Sequence, residues 1–268
     1  MAGRRLLRCR PCGLLYMDPW PTEVVSHHYD QVYEQAAVSG RIDLGHRWVF
    51  ERFLGEIRPF GGGRLLDVGC GSGEFLELAR KHGWAATGFE VSAPGAALAR
   101  RRGLPVHETL DDLPGGGFDV ATLWNVVDFF ARPVEQMQEI LRVLAPGGLV
   151  FLRTPNAIFQ LAAWRLSRVV VWPPALAQLV ADAHYFQPTV WGPSALRLLL
   201  RRAGFTDVRV RNSPASLGDP YRRTSAGRAR VIDGVKGVVD AVAGALQHAS
   251  RGRLTVAASL SALARKPA

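Results

Sequence analysis

Apolar and polar positions change period several times along this chain, and each change marks an element. Ahead of residue 60 the spacing is helical. Residues 22–38 and 44–57 are predicted helices, the second with Leu44, Trp48, Val49, Phe53, Leu54 and Ile57 in one stripe. Pro59 and the run Gly61-Gly62-Gly63 then break the chain. From Arg64 onward, short apolar runs alternate with helical stretches. Strands are predicted at 64–68, 85–89, 104–107, 118–124 and 149–153, and helices at 72–82, 94–102 and 133–144. That order implies an α/β fold, a mostly parallel sheet with helices on both faces.

Beyond Thr154 the regularity loosens. Residues 156–182 are apolar but interrupted at Pro173-Pro174, which predicts two short helices forming a small cap. A helix at 194–203 closes at Gly204, and a strand follows at 205–210. Residues 213–230, rich in Ser, Pro, Gly and Arg, read as an exposed loop. Val231, Val235, Val238, Val239, Val242 and Leu246 then make one apolar helical face. Gly234, Gly237 and Gly244 each weaken that helix by about 1 kcal/mol relative to alanine. A last strand is predicted within 253–264. The expected organisation is an N-terminal arm with covering helices (1–60), a core (61–212) with its cap at 156–192, and a C-terminal segment (213–268) of basic loop, amphipathic helix and strand.

Composition narrows the picture. With 268 residues, 48% hydrophobic and 21% charged, the chain can bury a real core. Three cysteines make no secreted disulfide framework, and no apolar run is long enough to span a membrane, so a soluble cytoplasmic protein is expected. The formal charge is +10, but unevenly placed: +3 over residues 1–21, −3 over 22–196 and +10 over 197–268. A basic end attracts nucleic acid, anionic lipid or acidic substrates. All basic residues but Lys81, Lys236 and Lys266 are arginines, however, and an Arg, Ala, Gly, Pro and Val bias of the kind a GC-rich genome writes is the plainer source of the excess.

The most informative segment is Asp67-Val68-Gly69-Cys70-Gly71-Ser72-Gly73-Glu74-Phe75, at the first strand-to-helix turn. Its small residues let a ligand lie against bare backbone at the carboxyl edge of a sheet. A dinucleotide loop needs glycine where Glu74 stands, and a carboxylate there opposes a pyrophosphate. A cationic, phosphate-free cofactor tolerates it. Glu90 follows Asp67 by 23 residues, where a second-strand carboxylate reads a ribose diol.

From Leu6 to Val210 the sequence resembles the class I S-adenosylmethionine-dependent methyltransferases, and the resemblance implies a Rossmann-like fold with S-adenosyl-L-methionine as cofactor. It places the methionine part against Asp67, Gly69, Cys70, Gly71, Gly73 and Phe75, the ribose on Glu90, and the adenine between Val91 and Ser92 on one edge and Thr109 and Leu110 on the other. The end of the fourth strand, Trp124 and Asn125, is then expected beside the methionine group and the substrate. Val143-Leu144-Ala145-Pro146-Gly147-Gly148 looks like the family's turn into the fifth strand.

Methyl transfer is an in-line displacement, so the protein mainly aligns the reactants and excludes water; an oxygen nucleophile also needs a base. Relatives often carry Glu-His after the fourth strand. Here Asp128-Phe129 stands there, and Asp128 is either a base or orienting group or a solvent-facing loop carboxylate. His184, in Ala183-His184-Tyr185-Phe186-Gln187-Pro188, resembles the family's histidine segment and is either the base or substrate contact, or a capping or packing histidine. Of His27, His28, Tyr29 and Tyr33, Tyr29 is a candidate to close the site and Tyr33 a packing residue. Cys9-Arg10-Pro11-Cys12-Gly13 looks like one knuckle of a zinc ribbon. A structural zinc needs four ligands, two are present and Cys70 is a poor third, so no metal is expected, the knuckle being degenerate or its fellow lying upstream.

The resemblance implies transfer of a methyl group to a hydroxyl of a small molecule, sugar or glycan precursor. The missing histidine after the fourth strand keeps open an alternative, a catalytically inactive cofactor-binding regulatory or scaffold protein. Nucleic acid is not the expected partner: Asn125-Val126-Val127-Asp128 stands where base methylases carry an Asn-Pro-Pro-Tyr-type motif. The helix over 231–246, flanked by Arg228, Arg230, Arg251 and Arg253, either makes peripheral membrane contact through 228–253 or packs on the core with a solvated basic rim.

Overall fold

The computed structural model describes residues 5–21, 30–31, 33–34, 47–58, 62–174, 177–178, 180, 186–215 and 226–268, with side chains from 233 onward in the last stretch. The main sheet contains β3 (Arg64–Val68), β4 (Ala85–Phe89), β5 (Val106–His107), β6 (Phe118–Trp124), β7 (Leu144–Pro155), β9 (Thr206–Ser213) and β10 (Ser259–Arg265). Their order is β5-β4-β3-β6-β7-β10-β9. The five strands from β5 to β7 pair in parallel, while β10 runs antiparallel to both β7 and β9. The last strand is therefore an interior strand of the core sheet, and that sheet extends well past residue 212. β7 is also longer than its predicted span, beginning at Leu144 and carrying the Pro146-Gly147-Gly148 turn as a register shift against β6.

Because both faces of the sheet are covered, its strands are apolar on both sides. Leu65, Leu149 and Phe151 point into one core, with Phe50, Phe53 and Leu54 of α1 (Arg47–Ile57), Phe75 and Leu76 of α2 (Glu74–Lys81) and two alanines of α3 (Ala93–Arg101). Their strand neighbours Leu66, Val150 and Leu152 point into the other, against Met137 and Ile140 of α4 (Pro133–Val143) and Leu196 and Leu200 of α6 (Pro193–Arg202). Phe53 is 3% exposed, so truncation to alanine is worth about 3–5 kcal/mol, a large share of a domain's stability. Ser92 caps α3 by accepting from the Gly95 amide, with Pro94 in the first turn.

A second, three-stranded sheet joins β1 (Arg5–Arg8), β2 (Leu15–Asp18) and β8 (Thr189–Val190). The two cysteines of the knuckle lie in the β1–β2 hairpin connection. There the Cys9 amide donates to the Leu14 carbonyl (2.8 Å), the Gly13 amide donates to the Cys9 carbonyl (2.9 Å), and Gly13 takes φ 77°. Arg5-Leu6-Leu7-Arg8 does not alternate, so periodicity alone left this hairpin unread. Among the described residues no cluster of three or more metal-ligating side chains occurs.

Of the cap, α5 (Ala157–Ser167) is described; Asn156 caps it, accepting from the Ile158 amide (3.1 Å). The segment read as a loop to residue 230 already turns helical at 226. There α7 (Ala226–Ala249) begins. Its inward side carries Asp240 and Gln247, which accept from the amides of Ala215 and Asn212, and Ala243, whose carbonyl accepts from the Asn212 side chain. Val235, Val238, Val242 and Leu246 are 41%, 65%, 54% and 41% exposed. Val235, Val238, Val242 and Leu246 thus look outward while Val239 is half-buried; of the two readings, the one in which this stripe packs on the core is not what these four show, and α7 meets β9 through its other side. No described helix is long and apolar enough to cross a membrane.

Candidate active site

Parallel strands end together at one edge of the sheet, and there β3 opens into the glycine loop. Gly69, Gly71 and Gly73 take φ of 70°, 55° and 87°, the left-handed region that side chains resist. The loop is tight as well as strained. A Cβ at Gly69 would stand 2.5 Å from Val126 Cγ2, and one at Gly71 would stand 2.5 Å from the Tyr33 hydroxyl. The Gly69 and Cys70 amides both donate to the Phe89 carbonyl of β4 (2.7 and 3.1 Å), which fixes the loop to the neighbouring strand end.

Beneath the loop, Asp67 is 2% exposed and accepts from Thr122 Oγ1 at 2.6 Å. Burial pushes its carboxyl up to about 8, against the Thr122 hydrogen bond, with the Glu90 and Glu74 charges adding to the rise. Glu90 closes β4 as expected. One of its oxygens accepts from the Gly71 amide and the other from the Ser92 amide, both at 2.8 Å. Burial raises this carboxyl too, while those amides favour its charged form. Val91 beside it is 75% exposed, an apolar surface next to an acceptor carboxylate.

Ser92 donates to Asp30 (2.6 Å), and the Tyr33 ring lies where Cβ atoms on Gly71 and Gly95 would stand. Tyr33 was expected as a packing residue; instead it lies across the glycine loop. Its contacts are far apart in sequence, so no local signal marks it. Thr109 accepts from the Asp111 amide and the Leu110 carbonyl accepts from Arg142, so the two shape the turn after β5.

Three expected cofactor contacts are packed inside. The Phe75 ring is 2% exposed, in an aromatic cluster with Phe50, Phe53, Trp124 and Phe151. Trp124 is partly buried in the same cluster, its ring 4.7 Å from that of Phe50. The Cys70 side chain is buried against Gly88 and Leu76, and burial together with the Asp67 and Glu90 charges pushes its thiol well above the ordinary range. These three shape the loop from behind. Glu74 accepts from Ser72 and pairs with Arg102, so its charge at the start of α2 is largely neutralised and is a weaker bar to phosphate than the sequence implies.

Asn125 takes φ 58° at the end of β6, and its side chain accepts from Arg153 (3.0 Å). Arg153, absent from the sequence reading, is 3% exposed and also donates to Ser213 Oγ and the Pro214 carbonyl. Asp128 is 1% exposed, so it is not the solvent-facing loop carboxylate that was one of its two readings. Thr154 donates to its Oδ1, Thr189 donates to its carbonyl at 3.0 Å, and Oδ2 is buried with no hydrogen-bond partner among the described residues. Burial pushes this carboxyl up to about 7, opposed by Thr154 and by the Arg153 charge. His184 lies outside the described residues, as do His27, His28 and Tyr29.

Another opening, about 720 Å³, is lined by Arg64, Ala85 and Phe118, which begin β3, β4 and β6. It lies at the amino edge, the wrong end of a parallel sheet for a ligand. The carboxyl edge instead offers a left-handed glycine turn, a ribose-type acceptor in Glu90, an apolar shelf in Val91 and a buried acid beneath. That set fits a nucleoside bearing a positive charge.

The fold is that of the class I S-adenosylmethionine-dependent methyltransferases. Residues 46–210 match the family model described as a methyltransferase domain, and the chain belongs to that family. It is similar to the ubiquinone biosynthesis O-methyltransferase of Ruegeria pomeroyi, with 32% identity over 59% of this chain and 66% of that protein. It is also similar to that of a Caulobacter strain, with 33% identity over 47% and 55%. The matches thus span less than two thirds of those relatives' length. A solved SAM-dependent methyltransferase from Thermotoga maritima shares the fold at a TM-score of 0.53 and 19% identity, covering 89% of this chain and all of that one.

Proposed function

We propose that this chain transfers the methyl group of S-adenosylmethionine to a hydroxyl oxygen of a small molecule. The observation that carries the reading is the loop at the carboxyl edge, with Glu90 bridging the Gly71 and Ser92 amides and Asp67 buried beneath. When bound, the cofactor supplies a methyl group already activated by positive sulfur. The chain's residues do the rest. Glu90 keeps lone pairs for two hydroxyl donors, while Gly69, Gly71 and Gly73 allow the left-handed turn to close against Val126, Tyr33 and Leu104. Asp67 offsets positive charge from below, and Tyr33 with the aromatic cluster behind the loop keeps water out.

The acceptor's proton is assigned to His184 on its sequence context. Asp128, buried behind Thr154, is a positioning group that holds the end of β6 to β7 and β8. The acceptor class is read from the relatives, whose names place O-methylation in ubiquinone biosynthesis; phenolic quinone precursors therefore lead the panel, with sugar hydroxyls after them. Calorimetry with S-adenosylmethionine, then label transfer from methyl-labelled cofactor across that panel, tests the reading. Binding with turnover on a hydroxyl acceptor is expected. Binding without turnover on any acceptor favours the scaffold alternative, and no binding sinks both.

A further inference from the structure

β9 and β10 are antiparallel neighbours, with Ser213 paired to Ser259, and a tight turn suffices to join two such strands. Residues 214–258 intervene instead. The sheet does not need this excursion, and most of it is α7, whose inward side carries Asp240, Gln247 and the small Ala243 with Val239 half-buried, while Val235, Val238, Val242 and Leu246 face away. Three glycines inside α7 weaken it further, and its described side-chain ties to the protein are polar contacts on the inward side.

Charge identifies what covers that face. Just past the helix Leu254 is 46% exposed, and Arg251 and Arg253 beside it in the chain are exposed too. The sequence adds Arg228 and Arg230 at the other end. On the acidic side, Asp240 is spent on the Ala215 amide and Asp233 pairs with Lys236. An apolar stripe rimmed by cations is the pattern of a helix lying in the interface of an anionic bilayer. A second exposed tract leaves the same edge of the sheet after α5, where Val171 and Trp172 are 74% and 77% exposed and Arg168 lies over the Trp164 ring at 5.2 Å. Tryptophan favours the headgroup region.

We propose that the outward face of α7, with Leu254, Arg251 and Arg253, docks this protein on an anionic lipid surface. Its root is tied to the candidate site. Arg153 holds Pro214 at the start of the excursion and Asn125 at the end of β6, so docking sets the carboxyl edge of the sheet near the membrane. This inference rests on the helix face and not on the transfer chemistry.

Sedimentation of the full chain with phosphatidylcholine vesicles, with and without phosphatidylglycerol, tests it. Binding to the anionic vesicles is expected, weakened about tenfold by high salt or by Arg251→Glu with Arg253→Glu. Val238→Glu with Val242→Glu is expected to abolish it while leaving the circular dichroism spectrum and cofactor binding unchanged. The inference is overturned if the native chain ignores anionic vesicles or if the double valine variant still sediments with them. A stable dimer in light scattering that Val238→Glu with Val242→Glu dissociates also overturns it, since a second copy is then the occupant.

Discussion

Two buried carboxylates, Asp67 and Asp128, set the behaviour of single residues here. Both titrate far above an unfolded aspartate, at about 8 and about 7, because burial penalises their charged forms. The folded chain therefore holds more protons than the unfolded chain between the unfolded value and those raised values, and stability falls as pH rises through that window. The expected outcome is a melting temperature that declines from pH 5 to pH 8, with Asp128→Asn flattening the part below pH 7. Melting curves that rise over this range contradict it. A bound cation favours ionised Asp67, so binding expels its proton, and that cost shrinks as pH approaches 8. Cofactor affinity measured calorimetrically is expected to rise between pH 6 and pH 8 in the native chain and to stay flat in Asp67→Asn. Glu90 differs in kind, because its oxygens already hold two amides. Glu90→Ala is expected to cost about 1–3 kcal/mol of stability through the stranded amides and at least about tenfold in cofactor affinity, in the same calorimetric and melting experiments.

At the scale of elements, the glycine loop is held from both sides: φ demands glycine and the Tyr33 hydroxyl fills the space a side chain needs. The two effects can be separated. Gly71→Ala carries about 1–2 kcal/mol of backbone cost wherever φ is positive, plus the clash. In a Tyr33→Ala background only the first remains, so a double-mutant cycle read by thermal melting is expected to be non-additive. Additive values place Tyr33 off the loop. What the sequence disclosed follows the same local logic. β3, β4, β6 and the helices between them declare themselves because strands buried on both faces read as apolar runs and their turns need glycine. Periodicity reports that α7 has an apolar stripe but not which way it faces, since orientation is decided by Asp240 and Gln247 reaching β9 and its following turn. Tyr33 on Gly71, and β10 between β7 and β9, depend on contacts between distant residues and leave no mark in any short window.

For the molecule as a whole, the question is how a methyltransferase core carries a basic excursion without loosening its own sheet. The core is mildly acidic, as suits a cationic cofactor, and the positive excess lies mainly beyond residue 196. The join between them is Asn156, fully buried at the end of β7. Its amide nitrogen donates to the carbonyls of Thr255 (3.0 Å) and Ala257 (2.8 Å), its amide oxygen caps α5, and its own backbone amide donates to Ala258. One side chain thus pins the return of the excursion to the strand that leads into the cap. Asn156→Ala strands two carbonyls and a helix end in the interior, at an expected cost of about 2–4 kcal/mol. Amide exchange resolves whether the loss is local or global. If Asn156 is the join, protection falls first over residues 253–258 and the first turn of α5, while β3, β4 and β6 keep theirs and cofactor affinity changes little. Equal loss of protection across the parallel strands instead means that excursion and core unfold as one unit, with the seam elsewhere.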